Sequence, residues 1–275
     1  MIGNELFIEE HKEEIVLEGT DKILETTGKV IDKVPEVYDD AFKETVKESG
    51  KTLALIPRTI NAALVPLRKW ISEKEYSLAE TERLLELKLK NVDVEKITTP
   101  NAYVAVPALQ AISYCIDSEE LRNLYANLLA KSMNLDTKES VHPSFVEIIK
   151  QMSPLDAIIF KEIYSSQITP LLNLYVTREN GGNTHHFYNI SWLETYSYES
   201  FCISINNLER LGLIEIPYGE SYSEDENYNW VRNTRIYNEI KQELLSLNMG
   251  TIGEEKGYIK KTSLAKAFYE MCVVD

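Results

Sequence analysis

Apolar residues recur at helical spacing through the first 160 positions. The clearest run is Leu121, Leu124, Tyr125, Leu128 and Leu129, an i, i+3, i+4, i+7, i+8 stripe that predicts one helix face turned to a core. Asp117 or Ser118 stands where its N-cap belongs, and Glu119 and Glu120 fill the first turn, where the helix dipole favours acids. Ahead of it, a helix is expected from about Tyr103 to Cys115, kinked or started by Pro107. Leu84, Leu85, Leu87 and Leu89 give an apolar stripe to a charged helix over 72–97, with Ser72–Glu75 and Ser77–Glu80 as capping-box candidates. Residues 5–50 read as interrupted amphipathic helix.

Downstream, Pro143 fits the first position of a helix that turns Phe145, Ile148 and Ile149 inward. Ser153-Pro154 begins another, with Ser153 as cap and Asp156 in the first turn. Its face is expected to be Leu155, Ile158, Ile159 and Ile163, followed by a loop with Gly181-Gly182. The stretch FCISINNLERLGLIEIPYG predicts a helix, a stop at Gly212 and a strand over Leu213–Ile216. That strand would lead into an acidic wing, GESYSEDENYNW. Thr262-Ser263 caps a last helix whose core face is Leu264, Phe268 and Met271 or Cys272. The expected fold class is mainly α: a helical N-terminal body over 1–150, then a small α+β winged-helix-like C-terminal module over 153–275, divided near Lys150–Ser153.

Charge narrows the partners. The formal net charge is −15, and residues 1–50 carry 14 acids against 6 bases. Such a surface repels a polyanion over most of its area, so nucleic-acid binding by the whole chain is disfavoured, although a local basic patch would escape this. The one basic apolar stretch is 51–71, KTLALIPRTINAALVPLRKWI, with Lys51, Arg58, Arg68 and Lys69 and no acid. Pro57 and Pro66 should interrupt its helix. Leu53, Ile56, Ile60, Leu64, Leu67 and Ile71 share a face, with Trp70 at its border. Two readings compete: a kinked core helix, or a surface segment whose Lys51, Arg58, Arg68, Lys69 and Trp70 contact a partner or an anionic membrane.

Three cysteines, Cys115, Cys202 and Cys272, form no CxxC pair, which fits a reducing compartment better than a disulfide framework. The start has no basic region followed by an apolar run, and no apolar run is long enough to span a bilayer. A cytoplasmic location, with peripheral membrane contact as the variant, is the expectation. No GxSxG, HExxH, GxxxxGK[ST] or GxGxxG occurs. His185-His186 sits in a polar loop whose spacing matches no metal pattern, and His142 reads as a helix-start residue. Pairing Arg122 with His142 as a nuclease fails on spacing, because twenty residues and a turn separate them. No catalytic residue, metal ligand or cofactor is assigned.

The strings SEELRNLYANLLAKSMN and HPSFVEIIKQMSPLDA resemble the Abi-alpha (abortive-infection alpha) family of bacterial proteins. The matching positions are Leu121, Arg122, Ala126, Leu128, Leu129 and Ala130, then His142, Pro143, Ser144 and Phe145, and Ser153, Pro154, Asp156 and Ala157. The resemblance covers roughly residues 20–275 and is most specific between Pro107 and Ala157. These motif positions are caps and packing sites, so they identify a family without supplying a chemistry. The resemblance implies a non-enzymatic antiphage protein acting through contacts with an unidentified protein partner. Two other readings stand beside it: a membrane-acting toxin using 51–71, and a winged-helix regulator contacting DNA through Arg210, Arg232 and Arg235. Oligomeric state is not legible.

Overall fold

A computed structural model describes residues 55–71, 75–112, 115, 118–217 and 219–274. The expectations for residues 5–50, for Lys51 and for the Ser72 cap lie outside them. The chain is mainly α, with two small antiparallel sheets.

Helix α1 (Leu55–Ile71) runs without a break past positions 57 and 66. The interruption expected there does not occur. Pro57 sits in the first turn, where its missing N–H has no intrahelical acceptor to lose. Beyond it, burial of Ile60, Ala63 and Leu64 holds the helix to the core. Helix α2 (Glu75–Leu89) buries Leu84, Leu85 and Leu89 and turns Leu87 outward. Ser77 and Glu80 lie inside it, so they are not its cap. Helix α3 (Ala102–Ile112) contains Pro107 and buries Val104, Ala105, Ala108, Leu109 and Ile112.

Helix α4 (Glu119–Ser132) is the centre of the body. Ser118 caps it, its Oγ accepting from the Leu121 N–H at 3.3 Å. Its buried positions run all round the helix, from Leu121 through Ala126, Asn127 and Ala130 to Ser132. A helix apolar on one stripe packs on one neighbour. This one is enclosed by α2, α3, α5 (Ser144–Lys150), α6 (Pro154–Ser165) and the C-terminal turn. Each fully buried leucine in it contributes roughly 2 kcal/mol.

Helix α6 opens with a reciprocal capping box. Ser153 Oγ accepts from the Asp156 N–H at 3.1 Å, and Asp156 Oδ2 accepts from the Ser153 N–H at 2.7 Å. Its buried face is Ala157, Ile159, Phe160 and Ile163, while Leu155 and Ile158, expected inside, are only half-buried.

The stretch expected to be a loop around Gly181-Gly182 is instead a hairpin, β1 (Pro170–Thr177) and β2 (Asn183–Ile190). Leu172, Leu174 and Val176 alternate into a core, which is the strand signal the loop reading passed over. Strand β1 is the centre of the order β2-β1-β4, with β4 at Thr251–Tyr258. Its pairing with β4 runs in register from Pro170↔Tyr258 to Thr177↔Thr251, whereas its pairing with β2 carries two irregularities. Helix α7 (Tyr198–Arg210) ends as its sequence predicts. Gly212 has φ +74, its N–H reaches Glu209 O, and the Leu213 N–H reaches Leu208 O. A two-residue strand β3 (Ile214–Glu215) then pairs with β5 (Lys260–Lys261).

The acidic segment expected as a wing is irregular over 219–224 and helical from Asp225 on. Residues Asp225–Tyr228 make a 3₁₀ turn and Asn229–Arg232 make α8. Tyr228 and Val231 are its anchors, both fully buried. Helix α9 (Arg235–Ser246) follows, placing Tyr237, Ile240 and Leu244 under Leu172, Leu174, Val176 and Ile190 of the sheet. Last comes α10 (Ser263–Phe268), capped by Thr262 Oγ1 from the Ala265 N–H at 3.0 Å. It passes directly into one turn of π-helix over Tyr269–Val273.

Apart from the cluster under the sheet, one hydrophobic core runs from Ile60 to Cys272. Phe268 packs edge-on against Phe145 at 5.8 Å and Phe160 at 5.4 Å, so residues on both sides of Lys150–Ser153 share it. Replacing Asp156 with Ala removes the acceptor of the part-buried Ser153 N–H and of the Asn207 amide described below, and should cost about 2 kcal/mol. Gly212→Ala should cost roughly 1 kcal/mol, because an L side chain resists that positive φ. Urea denaturation followed by circular dichroism checks both.

Candidate functional site

The family-motif residues sit where helices meet. Leu121, Leu128 and Leu129 are buried in α4, and Arg122 is half-buried beside them. His142 is exposed, and its Nδ1 accepts from the Ser144 N–H at 3.1 Å with Ser144 Oγ 2.7 Å away. The imidazole therefore acts as the cap of α5, and Pro143 precedes the helix rather than opening it. Phe145 is the motif's core anchor. At the next junction Asp156 Oδ2 also accepts from Asn207 Nδ2 at 2.9 Å, and the same amide donates to Gln151 O. Pro154 stands at the first position of α6. The motif thus fastens α4, α5, α6 and α7 together and does not converge on one cavity.

The basic stretch divides. In α1 Ile60 and Leu64 are buried in the core, and Arg58 is exposed. Arg68, Lys69 and Trp70 belong to the same helix, but their side chains lie outside the described residues.

The arginines considered for DNA are engaged within the protein. On α7, Arg210 donates to Gln151 Oε1 at 2.9 Å and to Asn207 Oδ1 at 2.7 Å. Arg232 forms a fork between Glu254 Oε1 at 2.6 Å and Asp225 Oδ1 at 2.7 Å. Tyr237 donates to Glu254 Oε2 at 2.7 Å, and Lys256 pairs with Asp225 at 2.7 Å. This network ties the 225–246 helices to β4. The Arg232 guanidinium, with Lys256, holds the Asp225 carboxyl well below the usual carboxylate range. Burial pushes the Glu254 carboxyl up, but the bonds from Arg232 and Tyr237 outweigh it and leave it below its ordinary value. Burial and the Glu254 contact push the Tyr237 phenol up to about 12. Arg235 pairs with Glu239 at 3.1 Å, and its backbone N–H meets Glu194.

On the open face of the sheet, His186 stacks between Tyr175 and Tyr188, at 5.6 and 5.4 Å. Among the described residues no group of three or more His, Cys, Asp and Glu could hold a metal ion. Exposed apolar side chains gather where α9 turns into β4: Leu245, Leu247 and Met249. There Gly250, at φ +155, passes so close to Thr177 O that no Cβ fits. β4 is also an edge of its sheet.

These arrangements define a helical protein held by caps and internal ion pairs, with an apolar tip beside a strand that is a sheet edge among the described residues. The model of the family described as abortive infection alpha matches residues 73–272, and the chain belongs to that family. No curated protein matches it. A solved structure of an uncharacterized protein from the hydrocarbon-degrading marine bacterium Alcanivorax borkumensis SK2 is similar over 47% of this chain and 92% of that one. Its identity is 12% and its TM-score 0.31, a likeness too slight to bear on fold or function.

Sequence reading missed the Arg232–Glu254–Asp225 network because its members lie 22 and 7 residues apart with no local pattern. Because the depressed carboxylates favour the folded state when ionised, that stabilisation is full above the ordinary carboxylate pKa, about 4, and is lost as pH falls through the lower folded values. Arg232→Ala should therefore be less stable than the parent at neutral pH, with the gap closing in acid. Thermal melts from pH 7 down to about 2 read this directly.

Proposed function

We propose that this protein is a bacterial antiphage defence protein of the abortive-infection type that works through contacts with another protein. Family membership over residues 73–272 supports the defence role. The observation that carries the contact reading is the apolar tip, Leu245, Leu247 and Met249, beside β4, whose outer edge pairs with no strand among the described residues. Exposed apolar side chains next to free backbone donors and acceptors suit a partner that adds a strand or lays down an apolar face. A cytoplasmic location belongs to the same proposal; among the described residues no helix is long and apolar enough to cross a membrane.

A winged-helix reading of 153–275 draws support from α7 followed by the β3–β5 ribbon. DNA grip by that module is disfavoured, since Arg210 and Arg232 already bond inside the protein. Peripheral membrane contact by 51–71 would use the face of α1 bearing Arg58 and Val65, opposite the buried Ile60 and Leu64.

Cells carrying the gene should lower phage plating relative to cells without it, and a Leu245→Asp, Met249→Asp double variant should lose both protection and the co-purified partner. Full protection by a folded double variant would sink the contact reading at this tip. Saturable flotation of the protein with anionic liposomes, weakened by Arg58→Glu, would move the assignment to the membrane.

A further inference from the structure

Helices α4 and α6 and the C-terminal π-turn enclose a groove of about 730 Å³, within the size range of small-molecule sites. Leu124, Ala157 and Ile158 give it an apolar wall, and Asn127 lines it. Asn127 is 3% exposed, off the leucine stripe and on the row of α4 that also carries Glu119 and Asn123. Its Nδ2 donates to Cys272 O at 3.0 Å and Val273 O at 3.3 Å. Those two carbonyls fix the amide orientation, since turning it over would set oxygen against oxygen. Its Oδ1 is buried and accepts no hydrogen bond. Native interiors rarely leave such an acceptor open, and an open one calls for a bound partner or a function. The turn that Asn127 grips is itself irregular. The Val274 N–H reaches back five residues to Tyr269 O at 3.0 Å, the π geometry that recurs at functional sites.

The rest of the groove is rich in acceptors. Ser165 and Ser166 donate their hydroxyl protons to Lys161 O and Glu162 O, both at 2.8 Å, so toward a ligand they can only accept. Carboxylates of Glu119, Glu120 and Glu162 line it against the ammonium groups of Lys88 and Lys161. A phosphate would meet those carboxylates, and among the described residues no cluster of acids could hold a metal ion. We propose that the groove binds an aliphatic amine of the polyamine class. One N–H satisfies Asn127 Oδ1, the carbon chain lies on Leu124, Ala157 and Ile158, and the remaining ammonium charge meets the carboxylates of both Glu119 and Glu162. This does not rest on the partner-docking reading above.

Asn127 also lines a small cavity of about 40 Å³ beside Leu89 and Ala130, which has room for a water molecule. The test separates the two. The full chain is titrated with spermidine and with cadaverine by calorimetry, and its ¹⁵N side-chain amide signals are followed. Saturable binding is expected, with the Asn127 amide pair moving. Ile158→Trp, which fills the groove from a half-buried position, should abolish it. Glu162→Gln and Glu119→Gln, both at exposed positions, should each weaken it by about tenfold. Absence of saturable binding overturns the proposal. So does binding that leaves the Asn127 signals unmoved and survives either carboxylate change, which would mean adsorption to an acidic surface with water on Oδ1. If Ile158→Trp does not fold, the two carboxylate variants decide the matter.

Discussion

Helix α4 is buried over most of its circumference, and most of the molecule follows from that. An ordinary surface helix hides one stripe and wets the other. This one buries Leu121, Tyr125, Ala126, Leu128, Leu129 and Ala130 around its circumference, so several neighbours must close over it. Small residues at Ala126 and Ala130 let them approach. Asn127 and Ser132 are the buried polar residues on that surface; Ser132 bonds back to Leu129 O, and the chain answers Asn127 with the backbone of a distant segment, Cys272 and Val273. The capping contacts at Ser118, His142 and Ser153 serve the same end, since each fixes where a neighbouring helix begins.

Electrostatics sets the functional bounds. The chain carries 44 acids against 29 bases, and several of those bases are bonded to the protein itself. Arg210 braces α7 on the Gln151 turn, Arg232 pins β4, and Lys261 donates to Tyr164 O and Ser166 O at the end of α6. Lys261 also lies over the Tyr164 ring at 5.2 Å. Basic residues used as internal fasteners are poor phosphate contacts. What the surface offers instead is apolar: the tip at Leu245, Leu247 and Met249, and the Tyr175–His186–Tyr188 stack.

Local signals read well from the chain. Ser118, Ser153, Gly212 and Thr262 were legible as helix ends because each acts on residues within three or four positions. The α4 stripe was legible because its period is local too. The hairpin β1–β2 was obscured by Gly181-Gly182, which mark a turn but look like a loop when the flanking alternation is short. The acidic segment near Asp225 looked solvated because composition hides two anchors, Tyr228 and Val231, that bury fully. The Arg232 network and the Asn127 contact depend on partners up to 146 residues apart, and no local pattern encodes such a pairing. Family membership was legible through the motif strings, while the groove was not, because it exists only where α4, α6 and the final turn meet.

The place of Phe268 has a consequence for synthesis. Phe145 and Phe160 rest on it, and Cys272 and Val273 close over Asn127. A ribosome makes the helices around α4 long before it makes that ring. At roughly 5–20 residues per second the nascent body waits several seconds with apolar surface uncovered. Native packing around α4 is therefore completed only once residues 268–273 have been made. A nascent helical body of this kind is a substrate for chaperones that hold apolar surface until residues 268–273 arrive to cover it.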